Sequence, residues 1–264
     1  MKYKYLLYIP LLTFISCNKP ESKIQNSQSV TPERSVTLAS VKNQNGKEIS
    51  WKGFLNGKTP VFIHYQIDGD IVVGEITYLN TKNKLPITLL GTIDTDNNYR
   101  ILEFEKSGNI TGIITGNPTE NIFKGSWFSP KTRKELALNL VKKDTIVASK
   151  KIETKLEDLF GNYHYQYSEA GYQGDLVIKK LPNSKAVFGI TSVTGDPGRN
   201  LAQIDDDTIN LTTTNFTYKL ADTDDCEFKV KFYKGFAVVQ YTKGMCSGQF
   251  GMNATVEGIY RKTK

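Results

Sequence analysis

Residues 60–93 read PVFIHYQIDGDIVVGEITYLNTKNKLPITLLGTI, and the fold class can be inferred from this segment before any other. Three runs within it, Pro60–Ile67, Ile71–Leu79 and Ile87–Ile93, are rich in β-branched and aromatic residues. Polar turn formers such as Asp68-Gly69 separate these runs. Short apolar runs between turn formers predict antiparallel strands that follow one another along the chain.

The same pattern extends in both directions from this segment. Up to residue 143 the further runs are Tyr99–Glu105, Ile110–Thr115, Ile122–Trp127 and Leu136–Val141. A second series comprises Tyr163–Tyr167, Asp175–Leu181, Ala186–Val193, Thr208–Thr212, Phe216–Leu220, Phe228–Tyr233, Ala237–Tyr241 and Ala254–Arg261. The pattern is lost over residues 144–156, which we interpret as a linker. The sequence therefore predicts an all-β protein with two antiparallel meander domains, residues 36–143 and 157–264.

Glycines inside the predicted strands bear on the shape of the sheets. Gly74, Gly91, Gly112 and Gly125 lie within runs of the first half. A glycine weakens a strand unless the sheet bends sharply there or another backbone approaches closely. We therefore expect strongly coiled sheets that form small lipocalin-like barrels, with a two-layer sandwich as the alternative.

The N-terminus has the layout of an export signal. Lys2 and Lys4 precede the uncharged, mostly apolar run Tyr5–Ile15, and the small residue Ser16 precedes Cys17. This run is shorter than the about 20 residues that span a bilayer, so residues 1–16 predict a signal peptide. Residues 17–35 are polar, contain two prolines and predict a disordered tether.

The segment Phe14-Ile15-Ser16-Cys17 resembles the lipobox of bacterial lipoproteins, although that family usually has an aliphatic residue where Phe14 stands. The resemblance implies cleavage before Cys17 and a diacylglycerol on its sulfur, so that a lipid would anchor the protein to a membrane. An aspartate after the cysteine would imply retention at the inner membrane. Asn18 stands there instead and implies the outer membrane, on either its periplasmic or its cell-surface face. The alternative is an ordinary signal peptide followed by an incidental cysteine.

The two halves also resemble β-rich modules of uncharacterised exported bacterial proteins. The resemblance rests on Gly74–Tyr78, Ile87–Gly91, Leu102-Glu103 and Gly125–Trp127 in the first half, and on Cys226–Phe232, Cys246 and Gly258–Tyr260 in the second. Neither resemblance implies an activity.

Two cysteines remain if Cys17 is acylated, and an exported protein meets an oxidising compartment. The runs Phe228–Tyr233 and Ala237–Tyr241 predict a hairpin, and Cys226 and Cys246 lie just outside its two strands. Antiparallel pairing would bring the two Cα atoms to about 4.5–5.5 Å, within the range of a disulfide. We therefore predict this disulfide, with the extra residues of the second strand taken up by a bulge or by looser pairing near Gly244.

Aromatic side chains are the most suggestive candidates for binding. Tyr163, Tyr165 and Tyr167 alternate along one strand and share a face, and Tyr172 follows closely. Aromatic faces bind sugars, apolar ligands and protein partners, although tyrosines also fill barrel cores with their hydroxyls at the rim. Residues 191–200 predict a long exposed loop, in which Asp196 and Arg199 are candidates for contact with a partner.

Other features exclude some functions. Basic residues number 34 and acidic residues 27, without a basic block, so nucleic acid is not an expected partner. The calcium-like spacing from Asp94 to Glu105 has Tyr99 where the loop needs glycine. The nucleophile-like segment around Cys246 has no predicted helix after it. We expect no catalytic residue, no metal and no cofactor.

These observations lead to three hypotheses of function. The first is non-catalytic binding of a small ligand, or of an envelope or extracellular protein, by a membrane-anchored module. The second is inhibition of a lysozyme-type enzyme through the loop 195–200. The third is a hydrolase whose carboxylates the sequence does not reveal.

Overall fold

The computed structural model describes residues 48–144, 154–223 and 225–263, and all of them belong to one compact unit. The predicted signal peptide 1–16, the tether 17–35 with Cys17, and most of the predicted linker 144–156 lie outside the described residues. The described residues form sixteen strands and two single turns of 3₁₀ helix, Leu156–Asp158 and Gly244–Cys246. The described part of the chain holds no helix long and apolar enough to cross a membrane.

The first eight strands form a closed barrel. In order they are β1 (Ile49–Leu55), β2 (Thr59–Asp68), β3 (Ile71–Tyr78), β4 (Ile87–Ile93), β5 (Tyr99–Phe104), β6 (Ile110–Pro118), β7 (Ile122–Phe128) and β8 (Glu135–Lys143). Each strand is antiparallel to the next, and β1 also pairs with β8 to close the barrel. At this seam a Cβ on Gly53 would lie 2.0 Å from the carbonyl oxygen of Asn139, so the closing pair of strands requires glycine.

The interior of the first barrel is mostly apolar, and one carboxylate points into it. Inward side chains such as Val61, Ile63, Leu89 and Ile101 are fully buried. Glu103 points into the same interior, where it is also buried and hydrogen-bonded to side chains of β3 and β7. A buried charge is tolerated only with such partners.

The second eight strands follow the same succession. They are β9 (Gly161–Gln166), β10 (Gln173–Leu181), β11 (Lys185–Val193), β12 (Leu201–Asn210), β13 (Asn215–Lys219), β14 (Glu227–Tyr233), β15 (Phe236–Lys243) and β16 (Gly258–Lys262). Strand β16 pairs back onto β9, which gives the order β12-β11-β10-β9-β16-β15-β14-β13.

The two sheets differ in how they end. Among the described residues, β12 and β13 share no hydrogen-bonded pairing, so the second sheet is a barrel with one open seam. The prediction of an all-β protein with two antiparallel meanders is confirmed, and both sheets are barrel-like, as favoured over the sandwich.

The predicted disulfide joins Cys226 to Cys246, with an S–S distance of 1.97 Å and a Cα–Cα distance of 4.1 Å. Strands β14 and β15 form the predicted hairpin, in which Phe228 pairs with Tyr241 and Glu227 with Lys243. The extra residue on the second strand is taken up by a bulge between these two pairs. The prediction of the disulfide is therefore confirmed, and of the two ways to take up the extra residues the structure has the bulge.

The two sheets share apolar contacts. Leu90, Leu102 and Phe104 point outward from the first barrel and are nevertheless buried. They belong to the same hydrophobic cluster as Val238 and Ile259 of the second sheet. Burial of outward-facing side chains on both sheets stabilises their association.

Polar contacts also connect the sheets. Lys231 Nζ lies 2.8 Å from Asp68 Oδ2, and the backbone N–H of Gln166 donates to the carbonyl of Gly108 at 3.1 Å. The division into domains 36–143 and 157–264 stays a prediction.

Candidate functional site

A cavity of about 290 Å³ lies where the first barrel meets the second sheet. It is lined by Arg100, Tyr165, Tyr167, Tyr172, Thr255, Glu257, Gly258 and Ile259. Arg100 comes from β5 of the first barrel, and the other residues come from the second half of the chain. The association of the two sheets therefore creates this cavity, and neither sheet alone supplies the whole lining.

Three of the four tyrosines singled out in the sequence line the cavity. Tyr165 is on β9, and Tyr167 and Tyr172 stand at the two ends of the turn that leads to β10. The backbone N–H of Tyr167 donates to the carbonyl of Tyr172 at 2.9 Å, which holds the turn closed. The rings of Tyr165 and Tyr167 meet edge to face, with centroids 5.9 Å apart.

Tyr163 has a different role from its neighbours. Its side chain is fully buried, its ring packs against Phe232, and its hydroxyl donates to the carbonyl of Leu159. Burial raises the pKa of the Tyr163 hydroxyl, as expected for a phenol in an apolar core. Tyr163 is therefore part of the hydrophobic core, which was the alternative to a role in binding.

Arg100 supplies the positive charge of the cavity. One guanidinium nitrogen donates to the Tyr167 hydroxyl at 2.7 Å, and the guanidinium carbon lies 5.6 Å from the centroid of the Tyr167 ring. Among the described residues, no carboxylate lies within ion-pair distance of Arg100. A guanidinium carries five N–H donors, so most of those on Arg100 are available to a ligand.

Glu257 supplies a carboxyl group to the same cavity. The residue is exposed, but packing around its carboxyl raises the pKa above the ordinary value of 4.5, and a backbone hydrogen bond from Tyr241 opposes part of this rise. The segment before β16 is held in place by hydrogen bonds at Thr255. Its hydroxyl lies 2.9 Å from the Tyr241 hydroxyl and accepts from the backbone N–H of Glu257 at 3.0 Å.

The loop 195–200 lies beside the cavity without lining it. The backbone N–H of Asp196 donates to the carbonyl of Ala170 at 2.8 Å, which places the loop against the turn that carries Tyr172. The charged atoms of Asp196 and Arg199 face each other at 3.9 Å. A guanidinium nitrogen of Arg199 also donates to the carbonyl of Gly171 at 3.4 Å. The two candidate contact residues are thus tied to each other and to the neighbouring turn.

The sequence interpretation missed Arg100, Thr255 and Glu257. The alternation of β5 could have shown that Arg100 points outward, since Tyr99 and Ile101 point inward. No local pattern could have shown that an outward residue of the first barrel reaches the tyrosines of the second sheet.

Two other sites considered in the sequence have structural roles. Asp94 accepts hydrogen bonds from the backbone N–H groups of Asp96 and Asn98, as in a polar turn. The Sγ of Cys246 is consumed in the disulfide. Among the described residues, no group of three or more His, Cys, Asp or Glu side chains is arranged to hold a metal ion.

Comparison of the chain with family models, with curated proteins and with solved structures gives no match.

Proposed function

We propose that this protein is an outer-membrane lipoprotein that binds a small ligand, without transforming it, in the cavity between its two sheets. The observation that carries the proposal is the convergence on that cavity of three tyrosines, one carboxyl and a guanidinium that forms no ion pair with a described residue. Ligand sites are concave, mostly apolar and equipped with a few polar groups that orient the ligand. A volume of about 290 Å³ is near the lower end of such sites, and a single ring would fill it.

Two observations support the location. The lipobox-like segment at Cys17 and the following Asn18 favour a lipid anchor in the outer membrane. The disulfide between Cys226 and Cys246 is of the kind that persists outside the reducing cytoplasm.

The lining of the cavity favours binding over hydrolysis. Among the described residues that line it, Glu257 contributes the carboxyl group. Glycoside hydrolysis generally uses two carboxyl groups about 5–9.5 Å apart, on the two sides of the bond that is cut. The inhibitor alternative depends on the loop 195–200, whose Asp196 and Arg199 are engaged with each other.

The test is a search for small molecules that co-purify with the full-length protein. Wild type and Tyr167→Ala, both extracted from their own membranes in mild detergent, would be denatured, and the released molecules compared by mass spectrometry. We expect a molecule enriched on the wild type and lost in Tyr167→Ala. Phe54→Ala, at an exposed position of the first barrel that does not line the cavity, is the matched control and should retain it. Equal recovery from all three proteins contradicts binding in the cavity.

The same preparations test the anchor. Intact-mass analysis should show acyl mass on an N-terminal Cys17 in the wild type and none in Cys17→Ser. An unmodified Cys17 in the wild type contradicts the lipoprotein assignment.

A further inference from the structure

The polar groups of the cavity differ in charge and stand apart from each other. Arg100 enters from the first barrel, whereas Glu257 lies beside β16 of the second sheet. The two side chains are not within ion-pair distance of each other, although both line the same space. Tyr165, Tyr167 and Ile259 supply the apolar surface of the lining. A ligand in this cavity therefore meets a cation, an apolar surface and a carboxyl at separate places.

We propose, on the basis of the proposed function, that the ligand is a small hydroxylated ring that bears a carboxylate. The carboxylate binds Arg100, the flat face of the ring packs on the tyrosines, and a hydroxyl group donates to Glu257.

The preference for a carboxylate follows from how Arg100 is held. Its hydrogen bond to the Tyr167 hydroxyl and its position over the Tyr167 ring orient the guanidinium while leaving other N–H donors unused. A guanidinium oriented in this way binds a carboxylate through two parallel hydrogen bonds. Arg100 has no carboxylate partner among the described residues, so no protein ion pair has to be broken when an anion binds.

Glu257 determines which end of the ligand lies at which side of the cavity. A carboxylate placed beside Glu257 would be repelled, whereas a hydroxyl there would donate a hydrogen bond to it. The hydroxyl group of Thr255, which is held next to Glu257, adds a second polar contact for the same end of the ligand. The ring hydroxyls therefore belong at the Glu257 end and the carboxylate at the Arg100 end.

Two classes of compound share this chemistry, namely sugar acids and hydroxylated aromatic acids. The aromatic acids present a flat ring and the sugar acids an apolar face of C–H groups, and either packs on tyrosine rings. Isothermal titration of the full-length protein in detergent would use four probes: glucuronate, its neutral counterpart glucose, 4-hydroxybenzoate and its neutral counterpart 4-hydroxybenzyl alcohol. We expect at least one acid to bind about tenfold or more tightly than its neutral counterpart, and the tighter acid identifies the class.

Variants of Arg100 test the origin of this preference. Arg100→Met should reduce the affinity for the acid about tenfold and leave that for the neutral counterpart within about twofold. Arg100→Lys keeps the charge but loses the planar fork, so it should retain only part of the preference. Lys124→Met, which removes an exposed positive charge outside the cavity, is the matched control and should bind as the wild type does.

The outcomes separate this inference from the proposed function. If acids and neutral counterparts bind equally, or if Arg100→Met keeps the preference, the carboxylate inference is wrong while ligand binding in the cavity stands. If neither acid binds and no co-purified molecule depends on Tyr167, both proposals are wrong.

Discussion

The hydroxyl of Tyr78 donates a 2.9 Å hydrogen bond to Glu103 Oε2 inside the first barrel, where only 3% of Glu103 is exposed. The indole N–H of Trp127 donates to the same oxygen at 3.1 Å, and the Thr111 hydroxyl donates to Oε1 at 2.8 Å. The donors come from β3, β6 and β7, so this carboxylate joins side chains of four strands across the barrel interior.

Removal of this charge should destabilise the protein. In Glu103→Gln one acceptor oxygen becomes an N–H₂ donor that faces groups which are themselves donors. We expect the free energy of unfolding to fall by about 1–3 kcal/mol, the usual cost of an unsatisfied buried polar group. Chemical denaturation measures this change. Glu105→Gln, at an exposed position two residues further on, should stay within about 0.5 kcal/mol of the wild type. A similar small change in Glu103→Gln would show that the network contributes little.

The apolar contact between the sheets should couple their unfolding. Both tryptophans, Trp51 and Trp127, belong to the first barrel, so tryptophan fluorescence follows the unfolding of that barrel. Val238→Ala removes buried methyl groups from the second sheet and should lower the stability measured by tryptophan fluorescence by about 1–3 kcal/mol. Val187→Ala, at a half-buried position on β11, is the matched control and should have a smaller effect. If the stability measured by tryptophan fluorescence is unchanged in Val238→Ala, the two halves unfold independently.

The disulfide should stabilise the second half. A loop of 20 residues between Cys226 and Cys246 corresponds to about 3 kcal/mol in the chain-entropy description. We expect this loss in the double variant Cys226→Ala/Cys246→Ala, and a comparable loss when the wild type is treated with a reductant. Calorimetry measures both. The double variant should not respond to the reductant, and a response there would point to another thiol-dependent contact.

Glu257 should lower stability at neutral pH. Packing around its carboxyl raises its pKa in the folded protein above 4.5, so folding favours the protonated form and the ionised form carries a cost. The cost is absent below about pH 4.5, where the group is protonated in both states, and it appears as the pH rises through the folded-state pKa. Glu257→Gln should therefore raise the melting temperature at pH 7 and lose this gain at pH 4.

The exposed Glu169→Gln serves as the control for that experiment and should show no pH-dependent gain. If Glu257→Gln is no more stable than the wild type at pH 7, the carboxyl is better solvated than its packing indicates. A carboxyl group that lowers stability beside a cavity is expected if the residue is retained because it binds a ligand.

The strands could be predicted where local pattern and tertiary structure agree. The runs at Ile71–Leu79 and Ile87–Ile93 became β3 and β4 almost unchanged, because alternation and turn formers already specify them. By contrast, the run predicted at Thr208–Thr212 overlaps only the last three residues of β12, which spans Leu201–Asn210. The sequence pattern did not indicate most of this strand because it contains Asp205, Asp206 and Asp207. Aspartate is depleted in strands and is tolerated here on an exposed edge.

The candidate site could be predicted only in part. The tyrosines were found because their spacing along β9 is local. Their separation into the buried Tyr163 and the cavity-lining Tyr165 depends on what covers each ring, which spacing does not encode. Arg100 could not be found, because its contact with Tyr167 joins residues 67 positions apart on different sheets.

The three aspartates on β12 also bear on how copies of the protein behave when crowded. An unpaired strand edge can add a strand from another molecule, which starts aggregation. The first barrel offers no such edge because β1 closes onto β8, and β12 borders the open seam of the second. If two copies met edge to edge there, six carboxylates would be brought together. Repulsion between Asp205, Asp206 and Asp207 of two such copies should therefore disfavour pairing through β12.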